Sequence, residues 1–251
     1  FHTLTDCNLK ARGIFGRLLS KFDQIISKIY IKNSAGLIAV TQEIVCHEET
    51  RLNTKKDKVL VYPNGVYKKN WIKHLLPDCR QVHIKIAFIA SLNYSWNGIN
   101  NLLYSIERNS SPKNDSLLLI GDFTSLEARI NSSHKLRQRV QILGLRDTTD
   151  IDSILTDVHI TLGAFALDTL AMTEACPLKV RQSLGQGVPV YSGHKDSALP
   201  ESFKYYKVGP PDIDEILNFA DEMRSISRLE IMRIARPYID KARLNESLFA
   251  Y

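Results

Sequence analysis

Glu174-Ala-Cys-Pro-Leu-Lys-Val-Arg-Gln182 sets a carboxylate eight residues ahead of an amide, with Pro177, Lys179 and Arg181 between them. Proline is well tolerated in the first turn of a helix, so the run predicts a helix that starts near Pro177 and leaves Glu174 just ahead of it. The first amides of a helix have no intrahelical acceptor, and the helix dipole places positive charge there. The N–H groups of Leu178 and Lys179 are therefore available to a diphosphate, and Lys179 adds a cation. Residues three apart share a helix face, which puts Gln182 beside Lys179, where its amide can hydrogen-bond ligand hydroxyls. Glu174 reads in two ways, as a carboxylate facing a ligand crevice or as a simple helix cap. Arg181 reads as part of a solvated helix face.

The elements that must hold these groups follow from hydrophobic periodicity. Residues 9–32 place Ile14, Leu18, Phe22, Ile25, Ile26 and Ile29 at helical spacing. The continuous apolar run at 35–41 has the character of a strand buried on both faces, and 58–66 reads as a strand ended by Pro-Asn-Gly turn chemistry. Periodicity lapses over 67–82, the expected linker. From His83 onward, strands and helices alternate, which implies a doubly wound parallel α/β sheet built from right-handed crossovers. The expected organisation is thus the tail of one α/β domain (1–66), a linker (67–82), a complete α/β domain (83–235) and a C-terminal tail or crossover (236–251). The first segment is too short to close a comparable sheet, so the chain is expected to be a C-terminal fragment or to have a partner supplying the rest.

Ligands of such sheets bind beyond the carboxyl ends of the strands, where loops and helix N-termini converge. The first exit of the larger domain carries Ser91, Asn97 and Gly98, a polar turn into a helix that offers backbone amides to a phosphate. An ordinary strand-to-helix connection with Trp96 packed for stability fits the same residues. A later exit, Gly144-Leu145-Arg146, has backbone that could line a planar ring, and His194 follows another. No G-x-G-x-x-G, Walker, G-x-S-x-G or H-E-x-x-H pattern is present.

A net charge of +6 favours anionic partners and leaves association with a membrane surface open, but the cations are dispersed without interleaved aromatics, which argues against nucleic acid. No apolar run approaches the roughly 20 residues of a membrane span. The four cysteines fit neither a metal knuckle nor a disulfide framework, the pattern of a reduced, cytoplasmic chain.

Together, "GLIAVTQEI", "KVLVYPNGV", "IAFIASL", "WNGINNLL", "LLLIGD", "VQILG" and "MTEACPLKVRQSLGQGVPV" resemble, in order and spacing, the family-four glycosyltransferases of bacterial polysaccharide synthesis. The last run is the most specific, similar to that family's Glu-x7-Glu signature and its small-Gly-x-Pro-Val exit. The resemblance implies two Rossmann-like domains in the GT-B arrangement, with residues 83–235 as the donor domain, and transfer of a sugar with retention from a UDP- or GDP-linked donor to a glycan or lipid-linked acceptor. It implies no metal or other cofactor, because helix amides and cations stabilise the leaving diphosphate. Glu174, as the catalytic-site acid, would meet donor sugar hydroxyls, and Cys176 would lie near that sugar. Pro177, Leu178 and Lys179 would line the diphosphate, Gln182 would take the ribose, and Gly144, Leu145 and Arg146 would flank the base. Three departures from the pattern stand out. Ser91 and Asn97 occupy positions where many members carry cations, and Gln182 replaces a carboxylate. They make a non-catalytic, nucleotide-sugar-binding role the alternative expectation.

Overall fold

The computed structural model describes residues 13–53, 55–67, 83–109 and 114–249. Its N-terminal unit comprises α1 (Gly13–Asn33), β1 (Leu37–Ala39), α2 (Gln42–Leu52) and β2 (Val59–Val61), with β1 and β2 paired in parallel. α2 is punctuated at both ends. The Thr41 hydroxyl accepts from the Ile44 amide at its start, and Asn53 takes a left-handed conformation at its end.

α1 is turned contrary to the usual amphipathic rule. Its small and polar residues, Gly16, Ser20, Asp23 and Ser27, lie toward the protein, and Asp23 is 3.0 Å from Arg51, which is itself bound to the buried Glu48 of α2. Its apolar arc faces outward. Ile14, Phe15, Leu18, Leu19, Phe22, Ile25, Ile26, Ile29 and Tyr30 are all exposed, Ile14 at 80%. The side chain of Ile38, central in β1, is half exposed as well.

The larger unit follows as β3 (Ile84–Leu92), α3 (Ile99–Arg108), β4 (Asp115–Asp122), α4 (Glu127–Ser132), α5 (His134–Arg139), β5 (Val140–Gly144), α6 (Thr148–Leu155) and β6 (Ile160–Leu162). It continues through β7 (Glu174–Ala175), α7 (Leu178–Gly185), β8 (Val190–Ser192), β9 (Lys195–Asp196), β10 (Tyr206–Val208), α8 (Ile213–Met223) and α9 (Arg228–Ile239). Six strands form one sheet in the order β10-β8-β6-β3-β4-β5, every pair parallel. Ile86, Ala87 and Phe88 are buried in succession, as expected of a strand covered by helices on both faces. Strand order reverses between β3 and β6, so the crevice opens at their carboxyl ends.

α4 and α5 are two short helices split at Ser133, whose backbone is extended and whose hydroxyl caps α5. Glu174–Ala175 is a short strand paired with β9 rather than free loop. At the C-terminus α9 runs through Pro237 to Ile239, and α10 (Lys241–Phe249) then lies against the end of the N-terminal unit. Val66 bridges Asp240, and the Tyr62 hydroxyl donates to Asn245. The expected linker, apart from Tyr67, lies outside the described residues. No described helix is long and apolar enough to cross a membrane.

Candidate functional site

A cavity of about 260 Å³ lies between the two units. Val40, Thr41 and Asn64 wall it on one side, and Trp96, Asn97, Cys176, Pro177, Lys179 and His194 on the other. Its floor is built by α7, which starts at Leu178 with Pro177 in extended conformation as its N-cap, as the proline predicted. The Val180 amide bonds back to the Pro177 carbonyl, whereas the Leu178 and Lys179 amides have no acceptor among the described residues.

The ammonium of Lys179 is the strongest electrostatic feature of the cavity. Part of the side chain meets solvent, but the charged end is enclosed and sits 3.9 Å from the centre of the Phe88 ring. Burial lowers its pKa to about 7. No carboxylate partners it among the described residues; it meets the Phe88 ring face, and its charge also acts on His194. His194 lines the same cavity, and its pKa is lowered, first by burial.

Two clasps fix this wall to the N-terminal unit. In the first, Arg181 is wholly buried rather than solvated as its position on the helix suggested. Its guanidinium forms a bidentate pair with Asp196 of β9, while Nε donates to the Asn64 carbonyl at 3.1 Å and Nη2 to Cys176 Sγ at 2.8 Å. The Asn64 side chain returns a hydrogen bond of 2.7 Å to the Cys176 carbonyl. Burial, with Asp196 adding to it, pushes the Cys176 thiol up to about 11, so Cys176 is a neutral packing group and not a nucleophile. The second clasp is Glu43 of α2. Its carboxylate accepts from the Thr173 amide, the Thr173 hydroxyl and the Glu174 amide, all at 2.9–3.0 Å.

The residues expected to gather at one ligand are partly dispersed. Cys176, Pro177, Lys179 and Asn97 share the cavity. Glu174, one strand step before Ala175, borders instead a neighbouring open hollow of about 760 Å³ together with Gln42, Lys195 and Tyr206. One oxygen of its carboxylate is buried without a hydrogen-bond partner. Gln182 does not stand with Lys179: its side-chain amide donates to Asp152 of α6 at 3.0 Å. Leu178 is exposed, as are Leu145 and Arg146 beyond Gly144, which turns in the left-handed region at φ 74°. Ser91 is exposed. Asn97 is buried and spends its amide on the Leu92 carbonyl, 3.0 Å away. Gly98 has φ 68°, and a Cβ there would lie 2.7 Å from that of Phe165, so the loop needs glycine for both conformation and space.

Sequence reasoning missed Asn64, Glu43 and the Arg181–Asp196 pair. The Pro-Asn-Gly turn marked the place of Asn64, but nothing in local sequence joins Asn64 or Glu43 to groups more than 100 positions away, or Arg181 to a carboxylate 15 positions on across a strand.

No family model matches the chain, nor does any curated protein. Solved structures are similar in shape and distant in sequence. A glycosyltransferase from Rickettsia africae matches with a TM-score of 0.65 at 13% identity, over 89% of this chain and 65% of that one. Sucrose-phosphate synthase from Thermosynechococcus elongatus gives 0.64 at 15%, over 100% and 67% of the two chains. Anabaena HepE, crystallised in complex with UDP and glucose, gives 0.63 at 14%, over 92% and 66%. The chain thus spans 65–67% of the length of these neighbours. With its six-stranded parallel sheet and a crevice at the strand-order reversal, it has the fold of the GT-B glycosyltransferases, in the portion that holds their C-terminal domain.

Proposed function

We propose that the chain is the donor-binding portion of a retaining glycosyltransferase of glycan or glycoconjugate synthesis, with a nucleotide sugar as its donor. The observation that carries this reading is the enclosed Lys179 ammonium, without a counter-ion among the described residues and beside two unbonded amides at the start of α7. A desolvated cation is costly until an anion meets it, and a diphosphate supplies that charge together with acceptors for the amides. UDP is the first nucleotide to test, since HepE was crystallised with it.

In this reading Glu174 binds donor sugar hydroxyls, Gln182 faces the ribose, and Gly144, Leu145 and Arg146 flank the base. Ser91, Asn97 and Gly98 form the polar turn beside the phosphates. During transfer the bond from the sugar's anomeric carbon to the phosphate oxygen breaks with its electron pair going to the diphosphate. Lys179 and the α7 amides stabilise that developing charge. The acceptor hydroxyl bonds to the same face of the anomeric carbon, and its proton passes to the departing phosphate oxygen.

A further α/β layer, in the same polypeptide or a partner, completes the acceptor side. The bare apolar arc of α1, the half-exposed Ile38 and, among the described residues, a paired sheet of only β1 and β2 support this, because parallel sheets are stable when both faces are covered.

Calorimetric titration with UDP-, GDP- and ADP-sugars tests the reading. Binding of one class, weakened at least tenfold by Lys179→Met, is expected, and no binding to any of them overturns it. Retention is tested by NMR of the product of the completed enzyme, where an inverted anomeric centre would reject it. One observation favours a second reading, binding without transfer: the amides of Asn97 and Gln182 are already committed to Leu92 and Asp152. Tight donor binding with neither transfer nor hydrolysis in the completed protein would establish that role instead.

A further inference from the structure

Glu43 stands in the first turn of α2, where an acidic side chain commonly serves its own helix. Here it does not have to. Thr41 already caps α2 through its hydroxyl, which leaves the Glu43 carboxylate to reach the larger unit. There it takes up three donors, the Thr173 amide and hydroxyl and the Glu174 amide. Both carboxylate oxygens are used, and the bonds are charge-assisted. The segment they hold is short. Glu174 and Ala175 pair only with Lys195 and Asp196, and a two-residue ladder is too small to fix its own geometry.

Side chains alternate along a strand, so the wall that Glu174 faces depends on this segment's register. Ala175 lines the Lys179 cavity, while Glu174 borders the neighbouring hollow with one carboxylate oxygen buried and unpaired. A slip by one residue would exchange the two. The Arg181 clasp holds the far end of the motif from buried groups. The Glu43 clasp holds its near end at the crevice mouth, between the half-buried Glu43 and the exposed Thr173.

The geometry points to Glu43 as a positioning residue: from the acceptor side it fixes the Thr173–Glu174 backbone, and so keeps the half-buried Glu174 on the wall of the hollow, where its carboxylate meets a hydroxyl of the donor sugar. This rests on the reading that Glu174 meets that sugar. It makes recognition of the sugar, as distinct from the nucleotide, depend on contact between the two units. Lys179 and the α7 amides bind the diphosphate without help from Glu43.

Two measurements on the 251-residue chain test the inference. Amide hydrogen exchange of Thr173 and Glu174 is compared in the wild type, Glu43→Gln and Glu43→Ala. Exchange should quicken about tenfold or more in Glu43→Ala, the loss of at least one charge-assisted bond, and less in Glu43→Gln, which keeps an acceptor. Unchanged exchange overturns the clasp. Calorimetry then compares UDP with the UDP-sugar that binds best. Glu43→Ala should bind UDP as the wild type does but lose the extra affinity given by the sugar, with partial recovery in Glu43→Gln. An equal loss for both ligands marks a general loosening and overturns the positioning role, as does an intact sugar increment. If the wild type binds no nucleotide at all, the donor reading fails and takes the sugar coupling with it, and the exchange data still decide the clasp.

Discussion

Lys179 carries a pH signature that separates its role from packing. Burial holds its folded-state pKa at about 7, against 10.5 for the exposed side chain. Between those values the unfolded chain binds the extra proton, so this residue makes stability rise with pH from about 7 upward. Phosphate binding has the opposite sign, because it needs the protonated amine. Affinity for a nucleoside diphosphate should therefore weaken above pH 7, approaching tenfold per unit, and Lys179→Met should flatten the profile, as read by calorimetry in buffers from pH 6 to 9. Gln182 is the second informative position. Replacing it with Glu to restore the resembled family's carboxylate would place a second acid about 3.0 Å from Asp152. Two charges near 4 Å repel by about 1 kcal/mol even in a watery setting. Gln182→Glu should lower the urea midpoint, and Asp152→Asn should recover it. An increase in stability for the single variant would refute the contact.

At the scale of elements, the α7 segment acts as a plate bolted at both ends. Arg181, Asp196, Asn64 and Cys176 form a buried polar network in which each charge is paired and each neighbouring acceptor is used. Such a pair adds little against an apolar replacement, but losing one partner strands the other charge in the interior. Arg181→Ala should thus cost about 3–5 kcal/mol in urea unfolding. Asp196→Ala should cost a similar amount, and the double variant less than the sum. Arg181→Lys should not rescue the network, because one ammonium cannot replace a planar fork that reaches a carboxylate, a carbonyl and a sulfur at once.

For the whole molecule, the dominant surface feature is the outward apolar arc of α1. Nine large side chains on one helix form a patch of the kind that soluble monomers seldom leave open. The 251-residue chain by itself should associate as its concentration rises, and Leu18→Glu with Ile25→Glu should return it to monomer, as read by sedimentation velocity. The same pair of substitutions should block docking of the completing α/β layer. Helicity should be preserved, since α1 is anchored through Asp23 and Arg51 on its opposite face.

The sequence by itself determined the alternation of strands and helices after His83, because buried parallel strands need continuous apolar runs and crossover helices need amphipathic ones. It also determined the start of α7, since Pro177 has no amide to lose there. The helical span of α1 was equally legible, but not the direction of its apolar face: periodicity defines a stripe, and only the neighbours present decide what covers it. Tertiary structure alone decided that Arg181 is buried, that Gln182 turns to Asp152 and that Glu174 borders a hollow beside the Lys179 cavity rather than the cavity itself. It alone brought Glu43 and Asn64 to the motif. The physical reason is the same in each case. Local pattern fixes backbone conformation within a few residues, whereas the partner of a charge or an amide is set by whichever donor or acceptor the chain returns to that place.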